Sequence, residues 1–423
     1  MSDYKKRIAD SILLEKLQGK GAVLIEGPKW CGKTTTAEQV AKSVLYMADP
    51  RSFQQNMMLA DTNPDYLLKG ATPRLIDEWQ LAPKLWDAAR FEADHRKEMG
   101  QFIFTGSSVP ADLSEVNHTG TGRFSWLKMR TMSLLESGES NGEISLKKLF
   151  DAPNAIYSKS DVSLEEIAYL ICRGGWPVAT YLKDKIALNQ ARDYFDAVIY
   201  SDISRVDNTK RDPEKAKRIL QSYARNQGSQ ISIDTIVEDI RNNDTSITRA
   251  TVNSYIEALK KIFVIEDLPA WNPNLRSKTA IRTMDTKYFI DPSIAAAALG
   301  FGPGDLMNDL RTFGLMFETM AIRDLRVYAD AIDGNVYHYR DKNGLECDAV
   351  IHLRNGNYGL VEIKLGGEKL IEEGCKSLLK LAGKIDTDKM KEPSFLMVLT
   401  ASGDIAYQRK DGIYVVPIST LGI

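Results

Sequence analysis

The sequence predicts an α/β chain in three parts: a parallel sheet with helices on its faces, a mostly helical segment, and a second, mixed α/β part. Three observations predict it. Apolar strand-like runs alternate with helical ones up to about residue 150, the pattern of a parallel sheet covered by helices. Between about 160 and 300 the apolar residues recur at helical spacing instead. From 309 onward a long helical run gives way to strands interrupted by one further helix. At 423 residues the chain exceeds the size at which one core keeps growing. The expected divisions are 1–150, 160–300 and 309–423, with linkers at 152–160 and 305–310.

In the first part, strands are expected at 22–25, 44–47, 74–76, 101–104 and 126–129. After the first of them the chain reads Gly27-Pro28-Lys29-Trp30-Cys31-Gly32-Lys33-Thr34, which matches G-x-x-x-x-G-K-[ST] without a mismatch. The run 33–45 behind it lacks Gly and Pro and is read as a helix. A strand, a glycine-bounded loop and a helix gather unpaired backbone N–H groups and a positive dipole end where a polyphosphate sits. ATP is therefore expected on residues 27–34 and on Thr35. Lys33 is expected to reach the β and γ phosphates, and Thr34 to complete a Mg²⁺ shell.

Downstream, Arg74-Leu75-Ile76-Asp77-Glu78 ends a strand with two carboxylates. Asp77 is the metal-side and ATP-side candidate and Glu78 the base that polarises water. Capping of a helix at Trp79 is the competing role for this pair. The run Phe102-Ile103-Phe104-Thr105-Gly106-Ser107-Ser108 is a buried strand ending in hydroxyls, from which Ser107 or Thr105 can meet the attacking water or the γ phosphate. The three elements resemble an AAA-type P-loop NTPase of the additional-strand class, which implies ATP hydrolysis. The resemblance also implies, at Gly122-Arg123-Phe124, an arginine that meets the γ phosphate within the chain or across a homo-oligomer.

In the middle part, helices are expected at 164–172, 188–201, 213–226 and 248–262. Residues 214–271 have the spacing of a winged helix, with a polar turn at Asn242-Asn243-Asp244 and a wing at 263–268. The start of the third helix (Thr248, Arg249, Thr251, Asn253) suits a major groove, and Lys210, Arg211, Lys215, Lys217 and Arg218 suit phosphates. DNA is thus an expected partner. The competing role is packing against the nucleotide domain with a solvated charged face.

In the last part, a helix is expected at 309–330, strands at 335–340, 346–353 and 358–363, a helix at 370–381, and strands at 395–399 and 414–417. Glu318 falls on the first helix, Asp348 in a strand, and Glu362-Ile363-Lys364 at the end of the next. Strand periodicity puts Glu362 and Lys364 on one face, and Glu346 on the face of Asp348 as an alternative acid. Two carboxylates there can hold Mg²⁺ or Mn²⁺ while Lys364 orients water for attack on phosphorus. This set resembles the PD-(D/E)xK nuclease fold of restriction enzymes and Holliday-junction resolvases, with Cys347 where the motif has proline. The resemblance implies a restriction-endonuclease-like domain with Glu318, Asp348 and Glu362 as metal ligands. A Glu-x-Lys alone is more often a cross-strand charge pair. A domain that is catalytically silent and holds a protein partner is the competing expectation.

The whole order resembles a large prokaryotic family of ATPases whose C-terminal half is a domain of unknown function. Arg173-Gly174-Gly175-Trp176-Pro177, Ser201-Asp202-Ile203, Ala224-Arg225-Asn226 and Phe317-Glu318 carry that resemblance. Composition narrows the rest. Fifty-five basic against fifty-seven acidic residues give a net charge of −2, so any nucleic-acid surface is local. Four scattered cysteines without C-x-x-C spacing argue against disulfides or zinc and fit a reducing cytoplasm. Met1-Ser2-Asp3-Tyr4-Lys5-Lys6-Arg7 is basic but no apolar core follows, and no run has membrane-spanning length. A cytoplasmic protein without a membrane partner is expected.

Overall fold

The computed structural model describes residues 4–108, 120–151, 155–207, 209–242, 244–272, 284–388 and 390–423. Residues 1–3 of the basic N-terminus, 152–154 of the expected linker and Asn243 of the polar turn lie outside them.

The first part opens with helix α1 (Ile8–Gly19) and strand β1 (Ala22–Glu26). Helix α2 (Lys33–Glu38) follows the glycine-bounded loop. It is shorter than its Gly-free run suggests, because Val44 and Leu45 are drawn into β2 (Ser43–Tyr46), where they pair with Leu75 and Ile76. Next come α3 (Phe53–Thr62), β3 (Arg74–Asp77), α4 (Lys84–Arg96), β4 (Phe102–Gly106) and β5 (Phe124–Lys128). The five strands are parallel in the order β2-β3-β4-β1-β5. Strand β4 lies between the loop strand β1 and the acidic strand β3, as the additional-strand resemblance implies. Period two divides the core. Leu24, Ile76, Phe102 and Phe104 pack with Trp79 and Trp86 on one face, and Val23, Ile25, Leu75 and Ile103 pack with Leu13 and Ala37 on the other.

The middle part is helical: α5 (Leu164–Arg173), α6 (Asp184–Ala197) running through a π-helical turn (Val198–Asp202) into α7 (Ile203–Arg205), then α8 (Pro213–Arg225), α9 (Ile233–Arg241) and α10 (Arg249–Lys261). Ser163, Asp212, Ser232 and Thr248 accept backbone N–H groups at four of these helix starts, which fixes where the helices begin. After α10, the isolated antiparallel bridges Ile265↔Phe289 and Leu268↔Thr286 join the stretches around 265–268 and 286–289. Helices α11 (Pro292–Leu299) and α12 (Pro303–Asn308) follow. The expected linker at 305–310 is thus mostly helical, and Leu306 is buried.

In the last part, α13 (Leu310–Asp330) leads into a mixed sheet. Its strands are β7 (Ser158–Lys159), β8 (Gly334–Arg340), β9 (Glu346–Leu353), β10 (Tyr358–Lys364), β11 (Phe395–Thr400), β12 (Ile405–Gln408) and β13 (Tyr414–Pro417), in the order β7-β12-β13-β11-β10-β9-β8. Strands β8, β9 and β10 are antiparallel, whereas β11 runs parallel to β10 after helix α14 (Glu368–Ala382). Strand β7 comes from the stretch expected to be a linker. A second crossing pairs β6 (Ile144–Ser145) with β14 (Leu421–Gly422).

Buried charges join the parts. Arg130, just past β5, meets Glu266 after α10 at 2.7 Å and Asp330 of α13 at 2.6 Å. Arg323 of α13 lies 2.7 Å from Asp324 and 3.1 Å from Asp291. Asp291 also accepts the Thr131 hydroxyl at 2.6 Å and the Gly175 N–H at 2.9 Å, and Asp324 accepts the Leu134 N–H at 2.9 Å.

Candidate nucleotide site and a second acidic cluster

The loop between β1 and α2 needs its glycines. Gly27 has φ +156°, and a Cβ there would stand 2.0 Å from the Met129 carbonyl oxygen. Gly32 is left-handed at φ +97° and begins α2. Lys33 is buried, and its Nζ donates to the carbonyls of Gly27 (2.9 Å) and Pro28 (2.7 Å). Lys29 reaches across to Asp202 of the π-helical turn, 2.6 Å away. Cys31 is buried against Met129, and its carbonyl accepts from Arg7 at 2.7 Å. Arg7 is a support that the sequence does not disclose, since nothing local separates it from its basic neighbours.

At the end of β3, the Asp77 carboxylate accepts both the Thr34 and the Thr105 hydroxyls at 2.6 Å. Glu78 adopts a left-handed conformation (φ 56°, ψ 46°), uncommon for a residue with a side chain. Its carboxylate accepts from Gln80 and, at 3.2 Å, from Ser107. Thr105 thus orients the first acid and Ser107 the second. Hard oxygen donors from Thr34 and Asp77 converge here, the chemistry that Mg²⁺ requires.

A cavity of about 520 Å³ opens over these groups. Lys29, Trp30, Gly32, Lys33, Thr34, Thr35, Glu78 and Ser107 line one side, and Trp176, Pro177, Val178 and Gln190 of the helical part line the other. Some 140 residues separate the two walls, so only the resemblance singles out Trp176 and Pro177 beforehand. Gly175 lets them approach, because a Cβ there would fall 2.2 Å from the Met132 carbonyl oxygen.

Arg123 is a correction. It precedes Phe124, and Phe124 aligns with Ala22 at the start of β1, whereas the loop leaves β1 after Glu26. Five residues of strand, about 3.3 Å each, separate Arg123 from the phosphate end of the sheet. Its half-exposed guanidinium is paired with Asp94, so it does not reach the site in its own chain.

The C-terminal set does converge. Beyond the pair Val361↔Ala349, β9 and β10 stop pairing, and Asp348 enters the gap to accept the Ile363 N–H at 2.7 Å. The Lys364 ammonium lies 3.0 Å from Asp348 and 2.6 Å from Glu362. Glu318 on α13 is partly buried, accepts the Tyr288 hydroxyl and feels the charge of Asp348. Burial, then the charge of Asp348, holds both Glu318 and Glu362 above the usual carboxylate range. The two carboxylates outweigh burial at Lys364 and hold its ammonium protonated well beyond the usual lysine range. Among the described residues no group of three or more His, Cys, Asp or Glu side chains is arranged to hold a metal ion. The ammonium fills the space between two of the acids, and the third is bound to Tyr288. Glu346, the alternative acid, is half exposed and paired with Arg340 at 2.9 Å.

The expected DNA-facing basic set is also thinned. Arg211 is buried on Asp207 at 2.6 Å, and Lys215 lies 3.4 Å from Asp244. On the third helix, Arg249 is exposed but paired with Asp234 at 3.0 Å. No helix among the described residues is long and apolar enough to cross a membrane.

Loop, strand order and acidic strand end give residues 19–137 the P-loop NTPase fold. The family model described as an AAA domain matches residues 19–137. Two domains of unknown function, DUF8612 and DUF4143, match residues 164–305 and 313–421. Among solved structures, the chain is similar to the Walker-type ATPase PABY2304 of Pyrococcus abyssi, at 15% identity over 70% of this chain and 96% of that one, with a TM-score of 0.42. It is also similar to PH0952 from Pyrococcus horikoshii, a signal transduction ATPase with numerous domains that carries a tetratricopeptide repeat sensor. That similarity has 13% identity, covers 77% of this chain and 48% of that one, and has a TM-score of 0.26. No curated protein matches the sequence.

Proposed function

We propose that this chain binds and hydrolyses ATP in the cavity between β1, β3 and the helical part. The observation that carries the reading is the paired convergence at the strand ends: Thr34 and Thr105 on Asp77, Gln80 and Ser107 on Glu78. Lys33 and the loop N–H groups hold the β and γ phosphates, and Pro177 and Val178 offer an apolar seat for the base, with Gln190 as a polar partner. Glu78 accepts the proton of the attacking water, and Ser107 keeps its carboxylate aimed. Thr34 and Asp77 would hold Mg²⁺, which supplies charge neutralisation across the phosphates when bound. Lys33→Ala is expected to abolish nucleotide binding and Glu78→Gln to bind without turnover; unchanged ATPase activity in both refutes the assignment.

The finer reading is that nucleotide state governs a DNA-acting module. Support comes from the helix order, the antiparallel bridges after α10 that would form a wing, and the gathering of Glu318, Asp348, Glu362 and Lys364 where β9 and β10 part. A second reading is favoured by one observation, the closed Lys364 pairs beside the Tyr288 contact to Glu318. It is a nucleotide-dependent switch or assembly module whose last domain is catalytically silent and binds a protein. Cleavage of single-stranded, duplex and branched DNA with Mg²⁺ or Mn²⁺ separates them. Activity lost in Asp348→Ala and Lys364→Ala supports a nuclease, and none on any substrate supports the switch.

A further inference from the structure

We infer that Arg205 is the arginine that meets the γ phosphate, supplied by the helical part of the same chain in place of Arg123. The inference rests on the ATP-hydrolysis reading above and names a catalytic residue for it. A smaller cavity of about 60 Å³ adjoins the large one at Lys29 and Ser107, which line both. Its remaining wall includes Ser108, Tyr194, Asp202 and Arg205. Ser107 holds Glu78, so this extension lies on the side from which water must attack. Arg205 is exposed at the end of α7 and has no ion pair or side-chain hydrogen bond among the described residues. Arg7, Arg130 and Arg173 are engaged instead, on Glu136, Glu266 and Glu139.

Its placement follows from the backbone. The π-helical turn Val198–Asp202 inserts its extra residue immediately ahead of α7, a feature that recurs at functional sites. Asp202 and Arg205 are three residues apart and so share a helix face. Asp202 is the residue that grips Lys29 of the loop. One face thereby presents an acid that holds the loop and, one turn on, a guanidinium directed to the same cavity. In hydrolysis the oxygen of water bonds to the γ phosphorus as the bond to the β,γ-bridging oxygen breaks. The water proton passes to Glu78 and the electron pair leaves with ADP. Arg205 keeps its protons and offsets the negative charge on the equatorial oxygens, which ADP lacks.

The test uses the full chain with Arg205→Ala and Arg205→Gln. Steady-state turnover, ADP affinity, and trapping of ADP with aluminium fluoride as a transition-state mimic are measured beside Glu78→Gln. Turnover is expected to fall about 1,000-fold or more, the low end of arginine effects in phosphoryl transfer and beyond. ADP affinity should stay within about twofold, which also reports folding, while the aluminium fluoride complex is lost. Mixing Arg205→Ala with Glu78→Gln is expected to restore nothing, because both groups act in one chain. Recovery on mixing, or turnover within about threefold of wild type, overturns the inference alone. Wild-type protein that neither binds nor hydrolyses ATP overturns the underlying reading and takes this one with it.

Discussion

Thr105→Val isolates the role of the hydroxyl beneath Asp77. Thr105 is 2% exposed and donates to Asp77 at 2.6 Å, so the bond is buried and charge-assisted. Valine keeps the branched shape that β4 packs, leaving the hydrogen bond as the main loss. A hydrogen bond to a charged group contributes about 1.5–3 kcal/mol. At about 1.36 kcal/mol per tenfold in rate, that corresponds to about a 10- to 150-fold fall in kcat if Asp77 must be held for catalysis. Thr34 still donates to Asp77, so the acid stays in place on average and ATP affinity should change by no more than about threefold. Phosphate release measured across a Mg²⁺ titration, with ATP affinity by calorimetry, reads both quantities. A variant with kcat within about twofold of wild type refutes the role given to the Thr105 hydroxyl and leaves it as a structural partner only.

Arg323→Met strands Asp291 and Asp324 without their cation and should lower stability by about 3–5 kcal/mol; a loss below about 1 kcal/mol in chemical denaturation contradicts the joint as drawn. Burial alone raises Glu266 and Asp291, but Arg130 and Arg326 outweigh it at the first and Arg323 with its hydroxyl and N–H donors at the second, so both lie below the usual range. Their folded values sit below unfolded values of about 4, so their stabilisation is present above about pH 4 and is lost as pH falls through the folded values. Glu266→Gln should flatten that acid limb, and an unaltered pH profile counts against it. If the winged segment binds duplex DNA, Lys210→Ala with Lys217→Ala should reduce the salt slope by about two. Arg211→Ala should leave that slope unchanged and lower thermal stability, because its guanidinium is buried on Asp207; the opposite pattern refutes the division.

Legibility from sequence follows contiguity. Residues 27–34 and the acids at 77–78 are readable because each motif is a local backbone device, and a strand, a turn and a helix start are written in adjacent residues. Four of the five parallel strands are likewise visible as short apolar runs with clear ends. Arg123 misleads because Gly122-Arg123-Phe124 says nothing about which end of β5 it occupies, and only the register with β1 does. Trp176, Pro177 and Asp202 meet the loop through tertiary packing, and Arg7 meets Cys31 from a helix start, so neither has a local signature. In the last part, the helix that carries Glu318 and the strands that carry Asp348, Glu362 and Lys364 are readable from helical and strand periodicity. Their ion pairing is not, since the position of the Lys364 ammonium depends on where β9 and β10 part.

The two strand crossings carry a consequence for how the protein is made. Strand β7 finds its partner β12 only after 405 − 159 = 246 further residues have been synthesised. At about 5–20 residues per second, that interval is about 12–50 s. Strand β6 waits longer still for β14. The nascent chain therefore completes its nucleotide sheet first and holds two unpaired strand edges in reserve. They close, like a clasp, only once the last strands emerge. Vectorial synthesis thus sets the order in which the parts are joined. A half-made chain exposes edges that pair readily with other chains, which makes the strands at 405–408 and 421–422 the portion that protects those at 158–159 and 144–145.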